Sequence, residues 1–116
     1  MQEPAVQQHS LQSLLDRLTG STGLRTEVLG LSESSAAWLA AGLLVRKRRP
    51  LAILAPDQTT AQRLFQALSF FHGNQAEIGL FPHWEVAPYA PLSPHPEIEA
   101  TRMATLAALA AGRARA

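Results

Sequence analysis

Residues 30–37 resemble, in type and spacing, a loop that binds phosphate. Phosphate loops follow the pattern Gly-x-x-x-x-Gly-Lys-Ser/Thr, in which backbone N–H groups and a lysine hold the phosphates. Gly30 fits the first position of this pattern, but the others hold Ser35, Ala36 and Ala37. Because the lysine ammonium and the metal-binding hydroxyl are both missing, we expect a degenerate loop that binds no cofactor. We interpret the stretch as an ordinary turn, with Ser34 or Ser35 as the N-cap of a helix.

A second candidate is the basic run Arg46, Lys47, Arg48 and Arg49. Its cations could contact the phosphates of a nucleic acid or the acidic groups of a partner protein. The alternative is that they lie at a helix C-terminus, where the helix dipole stabilises each cation by ~0.3–1 kcal/mol. The net charge of +1 gives no broad field that would attract an anionic partner. We therefore favour the helix-end interpretation and keep the interaction as the alternative.

The other residues able to do chemistry do not have the spacing of a site. His72, His83 and His95 have neither cysteine nor carboxylate partners at metal-ligand spacing, so we predict solvated loop histidines and no metal site. Glu97 and Glu99 could be considered as an acid/base pair, but side chains two positions apart on a helix point in different directions. Both carboxylates instead suit the positive N-terminal end of a helix. No catalytic residue is predicted.

Composition limits the class of protein. A chain of 116 residues that is 47% hydrophobic and 16% charged is long enough for one globular domain. The absence of cysteine excludes a disulfide framework and thiolate chemistry. The N-terminus lacks a secretory signal, and the longest apolar run, residues 36–45, is far shorter than the ~20 residues of a membrane span. We predict a soluble, cytoplasmic protein that does not contact a membrane.

Hydrophobic periodicity predicts four helices. The first follows Ser10, the second covers about residues 35–46, the third runs from Asp57 to His72, and the last runs from Pro96 to Gly112. Short apolar runs predict strands at 26–31, 51–55 and 77–81. Alternation of strands and helices is typical of right-handed βαβ units. The sequence therefore predicts an α/β fold class, with a parallel sheet covered by helices in three α/β/α layers.

The most specific segment of the sequence is "FPHWEVAPYAPLSPHPEIEATRMATL", residues 81–106. Its prolines remove backbone donors and predict an extended, irregular connection before the last helix. Only large side chains can hold such a connection in place, so we expect Trp84 and Tyr89 to pack onto the sheet or the last helix. The competing interpretation is an exposed platform that stacks on nucleic-acid bases. Such platforms have basic residues between their aromatic residues, and no lysine or arginine occurs here between Arg63 and Arg102.

The same segment resembles the N-terminal part of bacterial transcription-repair coupling factors. The resemblance rests on the pairs Trp84-Glu85, Pro88-Tyr89 and Ser93-Pro94 and on Arg102, and it extends over about residues 10–116. It implies a module similar to the helicase-like B subunit of the excision nuclease, a P-loop NTPase-like half-domain that has lost its nucleotide-binding lysine. On this basis we expect an N-terminal helix and linker over 1–24, and the first part of such a domain over 25–116, cut inside the domain at 116.

The resemblance also implies a role. The full-length protein would be an ATP-dependent DNA translocase that displaces stalled RNA polymerase and recruits the A subunit of the excision nuclease for nucleotide excision repair. Its motor, which uses ATP and Mg, would lie downstream, so this segment would need no cofactor and would contact the rest of its own chain as a non-catalytic structural and interaction module.

Two other functions stay open from the sequence. One is a nucleotide-binding or ATP-hydrolysing α/β fragment with a non-standard phosphate loop, and the other is an α/β protein unrelated to repair. Position 36 separates the first of these from the structural role, because Ala36 cannot reach the β and γ phosphates as a lysine does.

Overall fold

Four α-helices and one 3-10 turn form the regular structure of the computed structural model, which describes residues 10–23 and 25–116. The helices are α1 (Leu11–Gly20), α2 (Glu33–Lys47), α3 (Gln58–His72) and α4 (Pro96–Ala110), and Gln75–Glu77 forms the 3-10 turn. Residues 1–9 and 24 lie outside the described residues, so the expected N-terminal unit over 1–24 can be followed only from residue 10. No helix in the described ranges is long and apolar enough to cross a membrane.

Side-chain caps explain where the helices begin and end. The Ser10 hydroxyl accepts a hydrogen bond from the backbone N–H of Ser13 at 3.2 Å, and Asp57 accepts one from Thr60 at 2.7 Å. Both satisfy N–H groups that have no partner inside the helix. Gly73, with a φ of 77°, ends α3 in the left-handed region that glycine adopts without strain. The starts predicted at Ser10 and Asp57, and the end predicted after His72, are confirmed.

The predicted α/β fold class is wrong: no β-strand and no parallel sheet occur among the described residues. The three segments expected to be strands have no ladder of hydrogen bonds with one another. The N–H of Leu51 donates instead to the carbonyl of Arg115 at 2.7 Å, and the N–H of Gly79 donates to the carbonyl of Ala116 at 2.5 Å. The last two residues thus lie between the segments that begin at Leu51 and Glu77, and keep them apart.

This arrangement also overturns the three-layer, P-loop NTPase-like half-domain. A strand needs a neighbouring strand with which to exchange hydrogen bonds, and an apolar run in the sequence does not supply that neighbour. The regular structure of the described residues is therefore helical throughout, and extended connections occur where strands were predicted.

The core lies around α2, against which both α1 and α3 pack. One cluster joins α2, α3 and the residue after the 3-10 turn; its buried members are Ala37, Ala41, Leu44, Leu68 and Ile78. On the other side of α2, Leu15 of α1 lies over Gly42. A Cβ atom at Gly42 would be only 2.5 Å from Leu15 Cδ2, so glycine is what allows the two helices to approach this closely.

Candidate functional site

The stretch from position 30 to 37 forms a turn and a helix start. Gly30 has a φ of 79°, and α2 begins at Glu33, so the last three positions of the degenerate loop lie in the helix. The N-cap is Ser32, whose hydroxyl accepts from the N–H of Ser35 at 3.2 Å. The expected cap at Ser34 or Ser35 is wrong, because those residues already lie in the first turn. Ala37 is buried in the core at 2% exposure.

The basic run ends α2. Arg46 and Lys47 lie in its last turn, and Arg46 Nη1 donates to Asp16 Oδ1 of α1 at 2.5 Å. Arg48 has a φ of 49°, in the left-handed region, where the helix ends and the chain turns towards the exposed Arg49. Among the described residues, Lys47, Arg48 and Arg49 form no ion pair. One member of the run therefore joins two helices, while Lys47 is half-buried and Arg48 and Arg49 are exposed.

The proline-rich connection is held at its beginning by Arg102 of α4. The Arg102 guanidinium carbon lies 3.9 Å from the centre of the Phe81 ring and 4.5 Å from that of the Trp84 ring. Arg102 Nη1 also donates to the carbonyl of Pro82 at 2.5 Å. A cation stacked on aromatic faces is attracted by the negative charge of the ring faces. Trp84 therefore packs towards the last helix, as predicted, but remains 45% exposed.

Tyr89 does not pack, and the prediction that it would is wrong. Its side chain is fully exposed, and its backbone φ is 67°. It occupies the third position of a turn closed by a hydrogen bond of 3.0 Å from the N–H of Ala90 to the carbonyl of Ala87. A proline in the second position and a positive φ in the third are features of a type II turn, where glycine is usual. The turn places this aromatic ring in solvent.

A polar cluster lies where α3 meets the last residues of the chain. His72 Nε2 donates to Glu77 Oε2 at 2.8 Å, and Asn74 Nδ2 donates to Glu77 Oε1 at 3.1 Å. Arg115 Nη1 lies 3.7 Å from Glu77 Oε2, and its Nη2 donates to the carbonyl of Leu44 at 2.7 Å. The hydrogen bond from His72, followed by the charges of His72 and Arg115, lowers the pKa of the Glu77 carboxyl below its ordinary value of 4.5.

The histidines differ from the solvated loop residues that were expected. The His72 side chain is only 7% exposed, so that expectation is wrong for it. His95 is the N-cap of α4, where its Nδ1 accepts from the N–H of Glu97 at 3.4 Å, and His83 is exposed. Glu97 and Glu99 lie in the first turn of α4, as predicted. Within the described ranges, no three histidine, cysteine or acidic side chains are placed to hold a metal ion.

The sequence of the chain is similar to parts of two known proteins. No family model and no solved structure matches the chain. The transcription-repair-coupling factor of Escherichia coli (strain K12) is 36% identical over 76 residues, which cover 66% of this chain and 6% of that protein. The predicted resemblance to transcription-repair coupling factors is confirmed. The corresponding protein of Haemophilus influenzae (strain ATCC 51907 / DSM 11121 / KW20 / Rd) is 39% identical over 54 residues, covering 47% of this chain and 4% of that protein.

The chain is thus similar to a short stretch of each transcription-repair-coupling factor, about one twentieth of its length. Sequence reasoning singled out Arg102 as part of the resemblance but did not predict its contacts with Phe81, Pro82 and Trp84, and it missed the role of Arg115. A signal for these contacts was present, because Arg102 is the first lysine or arginine that follows Phe81, Trp84 and Tyr89 in the sequence. Arg115 had no local signal, since its partners Leu44 and Glu77 are distant in sequence.

Proposed function

We propose that this chain is a non-catalytic structural and interaction segment of a transcription-repair-coupling factor. The observation that carries the proposal is the 36% identity to the Escherichia coli protein over 66% of the chain. Two related proteins from different organisms share the similarity, which supports a common role for the matched stretch.

The geometry of the described residues supports a structural role. Arg102 fixes the proline-rich connection to α4 through two ring contacts and one backbone hydrogen bond, and Arg46 joins α2 to α1. No comparable observation favours the alternative, a nucleotide-binding fragment. The N–H of Ser35, which a phosphate would need, is bonded to Ser32, and Ala36 offers no ammonium.

The finer parts of the proposal concern the longer protein. Its full-length form is an ATP-dependent DNA translocase that displaces stalled RNA polymerase in the cytoplasm and recruits the A subunit of the excision nuclease. ATP and Mg act in its motor, outside this segment. The segment contacts the rest of its own chain, and the three basic residues without ion pairs, Lys47, Arg48 and Arg49, are available for acidic groups there.

A chimeric protein tests the proposal. In the Escherichia coli factor, the 76-residue matching stretch is replaced by the corresponding residues of this chain, and ATP hydrolysis and displacement of stalled RNA polymerase are measured. The chimera should keep both activities, and the isolated chain should hydrolyse no ATP. A chimera that folds but cannot displace the polymerase would refute the proposed role for this segment. ATP hydrolysis by the isolated chain would refute its non-catalytic nature.

A further inference from the structure

A pocket of about 310 Å³ lies where the C-terminal ends of α1 and α2 meet the connections that follow them. Three half-buried leucines form its apolar part: Leu18 of α1, Leu43 of α2 and Leu51. The other lining residues are Ser21, Gly23, Thr26, Lys47, Arg49 and Pro50. We call this space the basic pocket. It is separate from the contacts of Arg102 and from the polar cluster around Glu77, because none of the residues of either lines it.

Every polar side chain in the lining can donate a hydrogen bond. Lys47 and Arg49 are positively charged and only donate, whereas the hydroxyls of Ser21 and Thr26 donate or accept. The Ser21 hydroxyl already accepts from the N–H of Gly23 at 3.3 Å, which leaves its own hydrogen for another acceptor. None of the described residues that line the pocket is acidic. This set of donors matches a ligand group that is anionic and only accepts.

The two cations of the lining are not neutralised within the described part of the chain. Lys47 is half-buried, and neither it nor Arg49 forms an ion pair there. Of the acidic residues on neighbouring elements, Asp16 is paired with Arg46, and Glu27 does not line the pocket. Removal of an ammonium from water is unfavourable unless an acceptor replaces the water. The helix dipole explains a cation in the last turn of α2, but not a second one beyond the helix end in the same pocket.

We propose that the basic pocket binds an acidic side chain, an aspartate or a glutamate, that lies next to an apolar residue in a segment of a partner protein. The carboxylate accepts from the Lys47 ammonium and from the Arg49 guanidinium, whose paired N–H groups fit the two oxygens of a carboxylate. The neighbouring apolar side chain covers the three leucines of the pocket. This inference does not depend on the proposed function.

The size and lining of the pocket disfavour other anions. A space of about 310 Å³ is at the lower end of the ~300–1,000 Å³ of small-molecule sites, so it has little room for a nucleotide. None of the lining residues is aromatic, so a nucleic-acid base has no ring on which to stack. Two cations beside an apolar surface also differ from the many cations that contact a phosphate backbone. An acidic protein segment uses both the charged and the apolar parts of the lining.

Titration of the ¹⁵N-labelled chain with short blocked peptides, followed by NMR, tests the proposal. The probe is acetyl-Ser-Glu-Leu-Ser-amide at millimolar concentration. Saturable shifts should be concentrated at the amides of the lining residues Ser21, Gly23, Thr26, Lys47 and Arg49. Replacement of the glutamate of the peptide by glutamine should weaken binding at least about tenfold, because the hydrogen bonds lose their charged acceptor. Replacement of its leucine by serine should weaken binding at least about threefold, because the apolar contact is lost.

Arg48 provides a matched control within the same basic run. Lys47→Gln and Arg49→Gln should each weaken binding of the glutamate peptide at least about fivefold, because each removes one charged donor. Arg48→Gln removes the same charge from the adjacent residue, which does not line the pocket, and should change the dissociation constant by less than about twofold. If Lys47→Gln does not fold, Arg49→Gln gives the same comparison at an exposed position.

An equal loss of binding in all three variants would show attraction by the charge of the run as a whole and would overturn the assigned site. Equal binding of the glutamate and glutamine peptides would overturn it as well. Inorganic phosphate and a short DNA duplex are titrated separately. If either shifts the same amides with a lower dissociation constant than the glutamate peptide, an acidic protein segment is not the occupant. Absence of shifts with the glutamate peptide would refute the pocket as a binding site.

Discussion

The Arg102 side chain makes three contacts with the aromatic stretch, two with ring faces and one with a backbone carbonyl. Because the Trp84 side chain is 45% exposed, truncation of Trp84 should lower the free energy of unfolding by less than the ~3 kcal/mol expected for a fully buried indole. Two of the residues on which the resemblance to coupling factors rests, Trp84 and Arg102, are thus in contact with each other, and Trp84 lies only partly in the interior.

Replacement of Arg102 tests this arrangement. Arg102→Ala should lower the free energy of unfolding by about 1–2 kcal/mol, because it removes a partly exposed cation–π stack and one charged hydrogen bond. Urea unfolding measures the change, and Arg113→Ala, at an exposed position, is the matched control. In a Trp38→Phe background, Arg102→Ala should also increase iodide quenching of Trp84 fluorescence. Unchanged quenching would show that the stack does not hold the indole.

Glu77 gives the molecule a predictable response to acid. Its pKa is lowered in the folded chain, chiefly by the hydrogen bond from His72, so folding favours the ionised carboxylate. The stability it contributes is complete above the unfolded value of 4.5 and is lost as the pH falls through the lower folded value. Glu77→Gln should therefore lower the urea midpoint at pH 7, and its difference from the unmodified chain should shrink below pH 4.5.

The control for this experiment is Glu27→Gln, because Glu27 lies in an exposed connection and forms no hydrogen bond or ion pair with the other described residues. Its urea midpoint should follow that of the unmodified chain at every pH from 7 to 3. A constant difference between Glu77→Gln and the unmodified chain over that range would mean that the His72 contact does not favour the ionised form.

Among the elements, the helices were predictable because their signals are local. Asp57 bonds to an N–H three residues away, and Gly73 ends α3 at the next residue, so both signals lie within a few positions of the structure they determine. The strands were not predictable in the same way. Whether Leu51 and Gly79 pair with each other or with Arg115 and Ala116 depends on contacts between residues far apart in sequence, which an apolar run does not encode.

The candidate site was predictable to a similar extent. The proline and aromatic residues of 81–96 correctly predicted an irregular connection anchored at Trp84, because the loss of backbone donors is a property of proline itself. The exposure of Tyr89 was missed, since the sequence gives no sign that a tyrosine will take a φ of 67° where glycine is usual. The burial of His72 was missed because its partner Glu77, the last residue of the 3-10 turn, was predicted to begin a strand.

The contact of α1 with α2 depends on the absence of a side chain at Gly42. Alanine favours a helix over glycine by about 1 kcal/mol, but a Cβ atom here would lie 2.5 Å from a methyl group of the buried Leu15. Gly42→Ala should therefore lower the free energy of unfolding. In a Leu15→Ala background, where the methyl groups are gone, the same substitution should raise it by about 1 kcal/mol.

Urea unfolding of the four proteins in this double-mutant cycle gives the coupling between the two positions. Gly20→Ala is the matched control, because nothing lies within 4 Å of a Cβ atom at that position. Its effect should be the same with Leu15 as with Ala at position 15. If Gly42→Ala is stabilising in both backgrounds, α1 does not pack against α2 as described.

At the scale of the whole molecule, three arginines of the described residues connect elements of the chain. Arg46 joins two helices, Arg102 holds the proline-rich connection, and Arg115 links α2 to the polar cluster around Glu77. With a net charge of +1, the molecule has no broad positive field, and the cations that form no ion pair among the described residues include the cluster Lys47, Arg48 and Arg49 at the end of α2.

The last prediction is that the chain does not bind ATP. The N–H of Ser35 is bonded to the Ser32 hydroxyl, and Ala37 is buried, so the start of α2 has no open loop that could surround phosphates. Calorimetric titration with millimolar Mg-ATP should show no saturable heat. Ala36→Lys alone should not create binding, because it adds an ammonium to a helix turn that still has no glycine at position 35. A dissociation constant of about 100 μM or tighter, equivalent to about −5.5 kcal/mol, would contradict the structural role and favour the nucleotide-binding alternative.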